Sequence, residues 1–231
     1  MKPRLSLSSY LITLSLSCVL LNLIFSGIAL ADSERPTPEL ALQRLLDGNQ
    51  RFVQDKTTCL NRNQARREAT AAVQQKPFAV VLGCSDSRVP PEIAFDQGLG
   101  DVFVVRVAGN VVSAIELDSV EFSALVFGSS IVMVLGHESC GAVNAVLHKD
   151  TKNIEAVAEQ IKPALKGLNN KDNSLEEAIK ANVRHSVDII KKSPVIAKLM
   201  KDKQINVVGG YYSLQTGEVK LLEDNTKQPK G

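Results

Sequence analysis

The sequence predicts an α/β protein: a mostly parallel central sheet flanked by helices. Two observations carry that prediction. Short β-branched runs at 78–83, 102–107, 131–135 and 205–208 alternate with helix-like segments. The runs are almost continuously apolar, as strands covered on both faces must be. With 231 residues, 44% hydrophobic and 23% charged, the chain is long enough for one sizeable core.

In chain order, the amino terminus reads as a targeting segment. Lys2 and Arg4 precede an apolar stretch from Tyr10 to Leu30, which closes with Ala29-Leu30-Ala31 before Asp32. That is the layout of a secretory signal, predicting export to the periplasm or beyond and cleavage after residue 31. An uncleaved anchor over residues 10–31 is the alternative, because about twenty apolar residues can span a bilayer. Ser9, Ser15, Ser17, Ser26 and Asn22 weaken that alternative. Contact with a membrane is therefore expected only if the segment stays attached.

Residues 32–77 read as an N-terminal helical arm, free to pack on a partner subunit. Thr37 is placed to cap a helix with Pro38 at its first position. Leu42, Leu45, Leu46, Phe52 and Val53 then recur at helical spacing. A second, exposed helix is expected within the polar stretch 56–76. Residues 78–223 form the α/β core, with helices near 115–127, 141–148, 154–168, 175–192 and 194–202. Gly209-Gly210 and the stretch from Tyr211 to Leu222 suit a final hairpin-like strand. Residues 224–231 read as a loose polar tail.

Charge excludes one class of partner. The whole chain carries 27 basic and 25 acidic residues. Loss of residues 1–31 removes two basic residues and no acidic ones, leaving a neutral protein with no electrostatic case for nucleic acid. It also leaves three cysteines, Cys59, Cys84 and Cys140, which cannot form a closed disulfide set.

Two segments carry the chemistry. Cys84-Ser85-Asp86-Ser87-Arg88 and His137-Glu138-Ser139-Cys140 each follow a predicted buried strand. Parallel strands present their carboxyl ends on one edge, where ligands bind, so the two segments can converge there. Two thiolates and one imidazole would then face one zinc ion and leave a fourth position open, the pattern of a catalytic site. Buried core cysteines are the competing reading. Asp86, Ser87 and Arg88 argue against it, because a core would have to satisfy each of those polar groups.

The motifs Cys84-Ser85-Asp86-Ser87-Arg88-Val89 with Pro91-Glu92, Val104-Val105-Arg106 with Ala108-Gly109-Asn110, and Gly136-His137 through Cys140-Gly141 resemble those of the β-class carbonic anhydrases. Gly48-Asn49-Gln50-Arg51-Phe52 extends the similarity into the first helix, so that it runs from about Leu42 to Tyr211. The resemblance implies one Zn2+ per chain on Cys84, His137 and Cys140. It implies reversible hydration of carbon dioxide to bicarbonate and a proton by a zinc-bound hydroxide. Asp86 and Arg88 would be the orienting and gating dyad. Where that pair breaks in the family, the aspartate occupies the open position, so activity is expected to rise with pH.

The resemblance further implies Gln75, Phe103 and the Gly141 N–H as substrate-side groups, in walls that cross between subunits, so the active unit is at least a homodimer. Two departures stand out. Phe122 replaces an active-site tyrosine. Val81, in a chain without tryptophan, occupies the tryptophan position of the bicarbonate-inhibited subset, so that regulatory site is not expected. Hydrolysis of carbonyl sulfide or carbon disulfide uses the same metal set and remains an alternative, as does a zinc-binding protein without catalysis. His148 and His185 read as surface or structural residues.

Overall fold

A computed structural model describes residues 35–73, 75–166, 168 and 174–223. The predicted leader over 1–31 and the tail over 224–231 lie outside the described residues. Among the described residues, no helix is long and apolar enough to cross a membrane.

The first helix, α1 (Pro38–Val53), starts where expected, with the Thr37 hydroxyl accepting from the Leu40 N–H at 3.2 Å. It lies on its own chain's sheet, with Ala41 and Leu45 fully buried. The next helix, α2 (Gln64–Ala72), is shorter than the polar stretch suggested and has no buried residue. Strand β1 (Ala79–Gly83) follows, then a single helical turn, α3 (Pro91–Ala94), and β2 (Val102–Arg106).

The 3-10 turn Ala108–Asn110 leads to α4 (Ala114–Phe122), which continues as a wide turn over Ser123–Phe127. Then come β3 (Ile131–His137), α5 (Gly141–Leu147), α6 (Glu155–Leu165), α7 (Leu175–Lys192) and α8 (Pro194–Lys201). Strands β4 (Asn206–Tyr212) and β5 (Val219–Leu222) close the chain.

The five strands lie in the order β2-β1-β3-β4-β5. Every pairing is parallel except β4 with β5, which is antiparallel, as the hairpin reading anticipated. One sheet face carries Val81, Met133 and Leu135 and packs on α1 and Phe95. The other carries Val80, Leu82, Val132 and Val134 and packs on α4, α7 and α8. Period-two alternation feeds two cores, which is why each strand reads as an uninterrupted apolar run.

Helix α7 presses directly on β3. A Cβ at Gly136 would come within 2.4 Å of Val183, so only glycine permits that approach one residue before His137. A third buried cluster lies among α5, α6 and α7 and includes Cys84 and Cys140. The carboxyl ends of β1 and β3 deliver their polar residues to it.

Candidate metal centre

In register, Gly83 of β1 pairs with Leu135 of β3, so both strands end at nearly the same height. Cys84 follows the first strand, His137 ends the second, and Cys140 follows a tight turn in which Ser139 adopts φ +56°. The Sγ atoms of Cys84 and Cys140 and a ring nitrogen of His137 all lie within 4.8 Å of one another, and all three residues are buried. Sequence separation of more than fifty residues thus collapses to one cluster.

His137 Nδ1 lies 2.8 Å from the Glu138 carbonyl oxygen, which places the ring proton on Nδ1. Nε2 is buried without a hydrogen-bond partner among the described residues. An imidazole nitrogen with no other partner, facing two sulfurs, is a ligand set that suits zinc. The two thiols share a proton unequally. Cys84 is lowered to about 4, chiefly by the hydrogen bond from Cys140 and against the effect of burial, while the same contact and burial push Cys140 strongly up. Burial alone would lower His137, but the Cys84 thiolate outweighs it and the imidazole is raised. A positive ion bound among these three residues would be held by the thiolates, with release of their protons.

The loop after Cys84 is held from two sides. Arg88 grips Asp86 in a fork, Nε to Oδ1 at 2.9 Å and Nη2 to Oδ2 at 2.7 Å, while its own N–H reaches Oδ1 at 3.0 Å. This pairing, Arg88 first, holds the Asp86 carboxyl far below the ordinary range despite some burial. Oδ2 of Asp86 stands 3.8 Å from His137 Nε2, beside the cluster rather than within it. Arg106, last residue of β2, donates to the carbonyls of Cys84 at 2.9 Å and Asp86 at 2.6 Å. Sequence reasoning gave Arg106 no role of its own, since nothing local shows a guanidinium reaching two main-chain oxygens twenty residues back.

Gly141 follows Cys140 directly, is exposed, and has no atom within 4 Å of where a Cβ would stand. Gln75 and Phe103 lie elsewhere in the protomer. Gln75 precedes β1, at the end opposite Cys84, and the intervening strand spans about 13 Å. Phe103 pairs with Val80, three residues back from the carboxyl end of β1, and its ring lies 6.0 Å from that of Phe127. Phe122, half-exposed, stacks edge-on against Phe127 at 5.1 Å.

Residues 79–219 match the carbonic anhydrase family. The chain belongs to the β-class carbonic anhydrase family. It is 37% identical over 194 residues to carbonic anhydrase 2 of Mycobacterium tuberculosis, covering 80% of this chain and 93% of that protein. The β-carbonic anhydrase of Coccomyxa, solved with acetazolamide, superposes with a TM-score of 0.61 at 27% identity, over 78% of this chain and 86% of that one. A tetrameric β-carbonic anhydrase from Sordaria macrospora shares the fold, with a TM-score of 0.61 at 21% identity over 78% and 96% of the two chains. The protein is thus an enzyme of the carbonic anhydrase class. Zinc is its cofactor, and the Cys84, His137 and Cys140 cluster can hold that ion.

Proposed function

We propose that the chain reversibly hydrates carbon dioxide at this cluster, with Cys84, His137 and Cys140 holding zinc and the Asp86–Arg88 pair orienting the nucleophile. The observation that carries the reading is positional. A carboxylate fixed by a bidentate arginine stands 3.8 Å from His137 Nε2 without entering the ligand set. When bound, zinc supplies a Lewis acid that makes a hydroxide nucleophile available near neutral pH.

The chain's own residues do the rest. Asp86 Oδ2 accepts a hydrogen bond from the attacking oxygen and so turns its lone pair toward the substrate carbon. Arg88 keeps that carboxylate ionised and away from the metal position, because the fork geometry satisfies both oxygens. Arg106 fixes the height of Asp86 by holding its main-chain carbonyl. The exposed Gly141 N–H, beside Cys140, is a further donor for the substrate.

Gln75 and Phe103, remote from their own cluster, serve the partner's cluster in a homodimer or larger even oligomer. Two features support that assembly. Among the described residues strand β2 is an open edge of the sheet, and Ile115, Phe122, Leu125 and Val126 expose a neighbouring apolar surface. The leader-like amino terminus supports export. Amino-terminal sequencing of the protein from its native cell should begin at Asp32, and a start at Met1 would favour the anchor.

The decisive experiment is stopped-flow hydration of carbon dioxide by residues 32–231, with zinc measured on the same sample near pH 7 and pH 8.5. Rapid hydration at about one zinc per chain, faster at the higher pH, is expected. Full zinc occupancy without hydration at either pH would overturn the reading, and carbonyl sulfide and carbon disulfide would then be assayed.

A further inference from the structure

The 3-10 turn Ala108–Asn110 touches the cluster at Cys84, and α7 holds it there. The Gly109 N–H donates to Cys84 Sγ at 3.3 Å. On the other side of the same Cα, the Gly109 carbonyl accepts from Asn182 Nδ2 at 2.7 Å. One residue on, the Asn110 carbonyl accepts from Ser186 Oγ at 3.0 Å. Asn182 and Ser186 stand four apart on α7, hence on one face, and both are almost wholly buried.

Their neighbours on that helix explain why this is unusual. Val183, Val187 and Ile190 fill the sheet-facing core, the ordinary work of a buried helix. An amide and a hydroxyl at the same depth are unfavourable unless bonded, and here Asn182 Nδ2 and Ser186 Oγ both donate to one three-residue turn, while Asn182 Oδ1 has no partner among the described residues. Gly109 itself sits at φ +70°, ψ 17°, and a Cβ there would come within 2.9 Å of Ile161 and 3.3 Å of Ala142. The backbone is therefore left-handed, closely surrounded and pinned on both flanking peptides.

We infer that Asn182 and Ser186 are positioning residues for the zinc centre: they lock the Ala108–Asn110 turn so that the Gly109 N–H stays aimed at the Cys84 sulfur. A donor aimed at a thiolate draws charge from it and fixes its orientation before the metal arrives. Without the Asn182 grip, the peptide after Gly109 is free to rotate, and the N–H on the other side of the Cα turns away from the sulfur. Helix α7 thus serves as the outer shell of the cluster as well as a core helix. The inference rests on Cys84 being a zinc ligand, as proposed above.

The test is zinc affinity by chelator competition, with the thiolate-to-metal charge-transfer band of the cobalt(II)-substituted protein as a second readout. Asn182→Ala is expected to weaken zinc binding about 10–100-fold and to shift the cobalt band. Ser186→Ala should move both in the same direction by less. Ile190→Ala removes core contacts from the same helix. It should lower Tm while leaving zinc affinity and the cobalt spectrum unchanged.

Wild-type affinity and spectrum in Asn182→Ala would overturn the inference. So would an equal loss in Ile190→Ala, which would trace the effect to helix stability alone. If Asn182→Ala does not fold, Ser186→Ala, which removes a single hydroxyl, decides by the same readouts. Zinc affinity that survived Cys84→Ser would instead overturn the ligand assignment, and the inference with it.

Discussion

Asp86 and Asp96 lie ten residues apart, each meets an arginine at 2.7 Å, and each is held below the ordinary carboxylate range. Their surroundings differ completely. The Asp96 side chain is 0% exposed, against 18% for Asp86. Its Oδ2 accepts from Arg51, the Thr58 N–H and the Thr58 hydroxyl, and its Oδ1 accepts from the Cys59 N–H. Burial alone would raise it, but those donors outweigh burial and bring it down to about 2. Every lone pair of Asp96 faces its own chain, tying α1 and the 57–59 loop to the end of α3. Asp86 has one arginine and an oxygen turned toward the metal cluster. A depressed carboxylate therefore does not mark a catalytic one, and what its free edge faces does.

Substitution should separate the two roles sharply. Asp86→Ala is expected to slow carbon dioxide hydration by about 100-fold or more, since orientation of the nucleophile is lost. Zinc content and Tm should scarcely move, because the Arg88 partner is half-exposed and a pair open to solvent on one side contributes about 1 kcal/mol or less. Stopped-flow rates, metal analysis and a thermal melt on one preparation check all three. Unchanged hydration would remove Asp86 from the proposed mechanism.

Asp96→Asn should do the reverse. An amide NH2 would face donors that now meet a carboxylate, at a cost of about 2–3 kcal/mol. For a domain of this size that corresponds to a Tm lower by about 5–10 °C. The hydration rate per zinc-loaded folded chain should stay within about twofold of wild type. A large loss of rate at intact zinc occupancy would mean that the Asp96 hub reaches the site.

Acid should reproduce part of this loss in the unmodified protein. The folded-state value of Asp96, about 2, lies below its ordinary value of about 3.9, so its stabilisation is complete above the latter. It is lost as pH falls through about 4 toward 2. Melts of wild type and Asp96→Asn at steps from pH 6 to pH 2.5 should therefore converge. The gap between the two proteins isolates Asp96 from protonation of the metal ligands, which both share.

The same contrast shows what was legible in the sequence. The sheet was legible because β1 and β3 are buried on both faces and read as unbroken apolar runs. Asp86 and the three cluster residues were legible because each sits at or just past a strand end, where polar residues interrupt an apolar pattern. Asp96 was silent: it lies in an irregular segment, and its partners Arg51, Thr58 and Cys59 are 37–45 residues earlier. That hub also explains why helix α2 starts only at Gln64. The preceding loop is held by Asp96, and Asn63 then caps the helix through the Arg66 N–H at 2.9 Å. Asn182 and Ser186 were equally silent, since a helical pattern shows depth but not what a buried amide grips. Gln75 and Phe103 lie away from the cluster of their own chain, a separation that the local pattern around either residue does not show.

The smallest expected effect decides what holds Asp96. Arg62 approaches it only to 3.8 Å and is 37% exposed, whereas Arg51 stands at 2.7 Å. The firmer bond of Arg62 goes to the Gln97 carbonyl at 3.1 Å. If main-chain donors and the Arg51 contact fix the carboxylate, Arg62→Ala should cost less than about 1 kcal/mol, or roughly 3 °C in Tm. Added salt should leave that small difference nearly constant, because a hydrogen bond to a carbonyl is screened far less than an exposed ion pair. A loss as large as that of Asp96→Asn, shrinking with salt, would instead show that summed charge holds the carboxylate. Asp96 and Asp86 would then be the same kind of arginine-held carboxylate, differing only in depth.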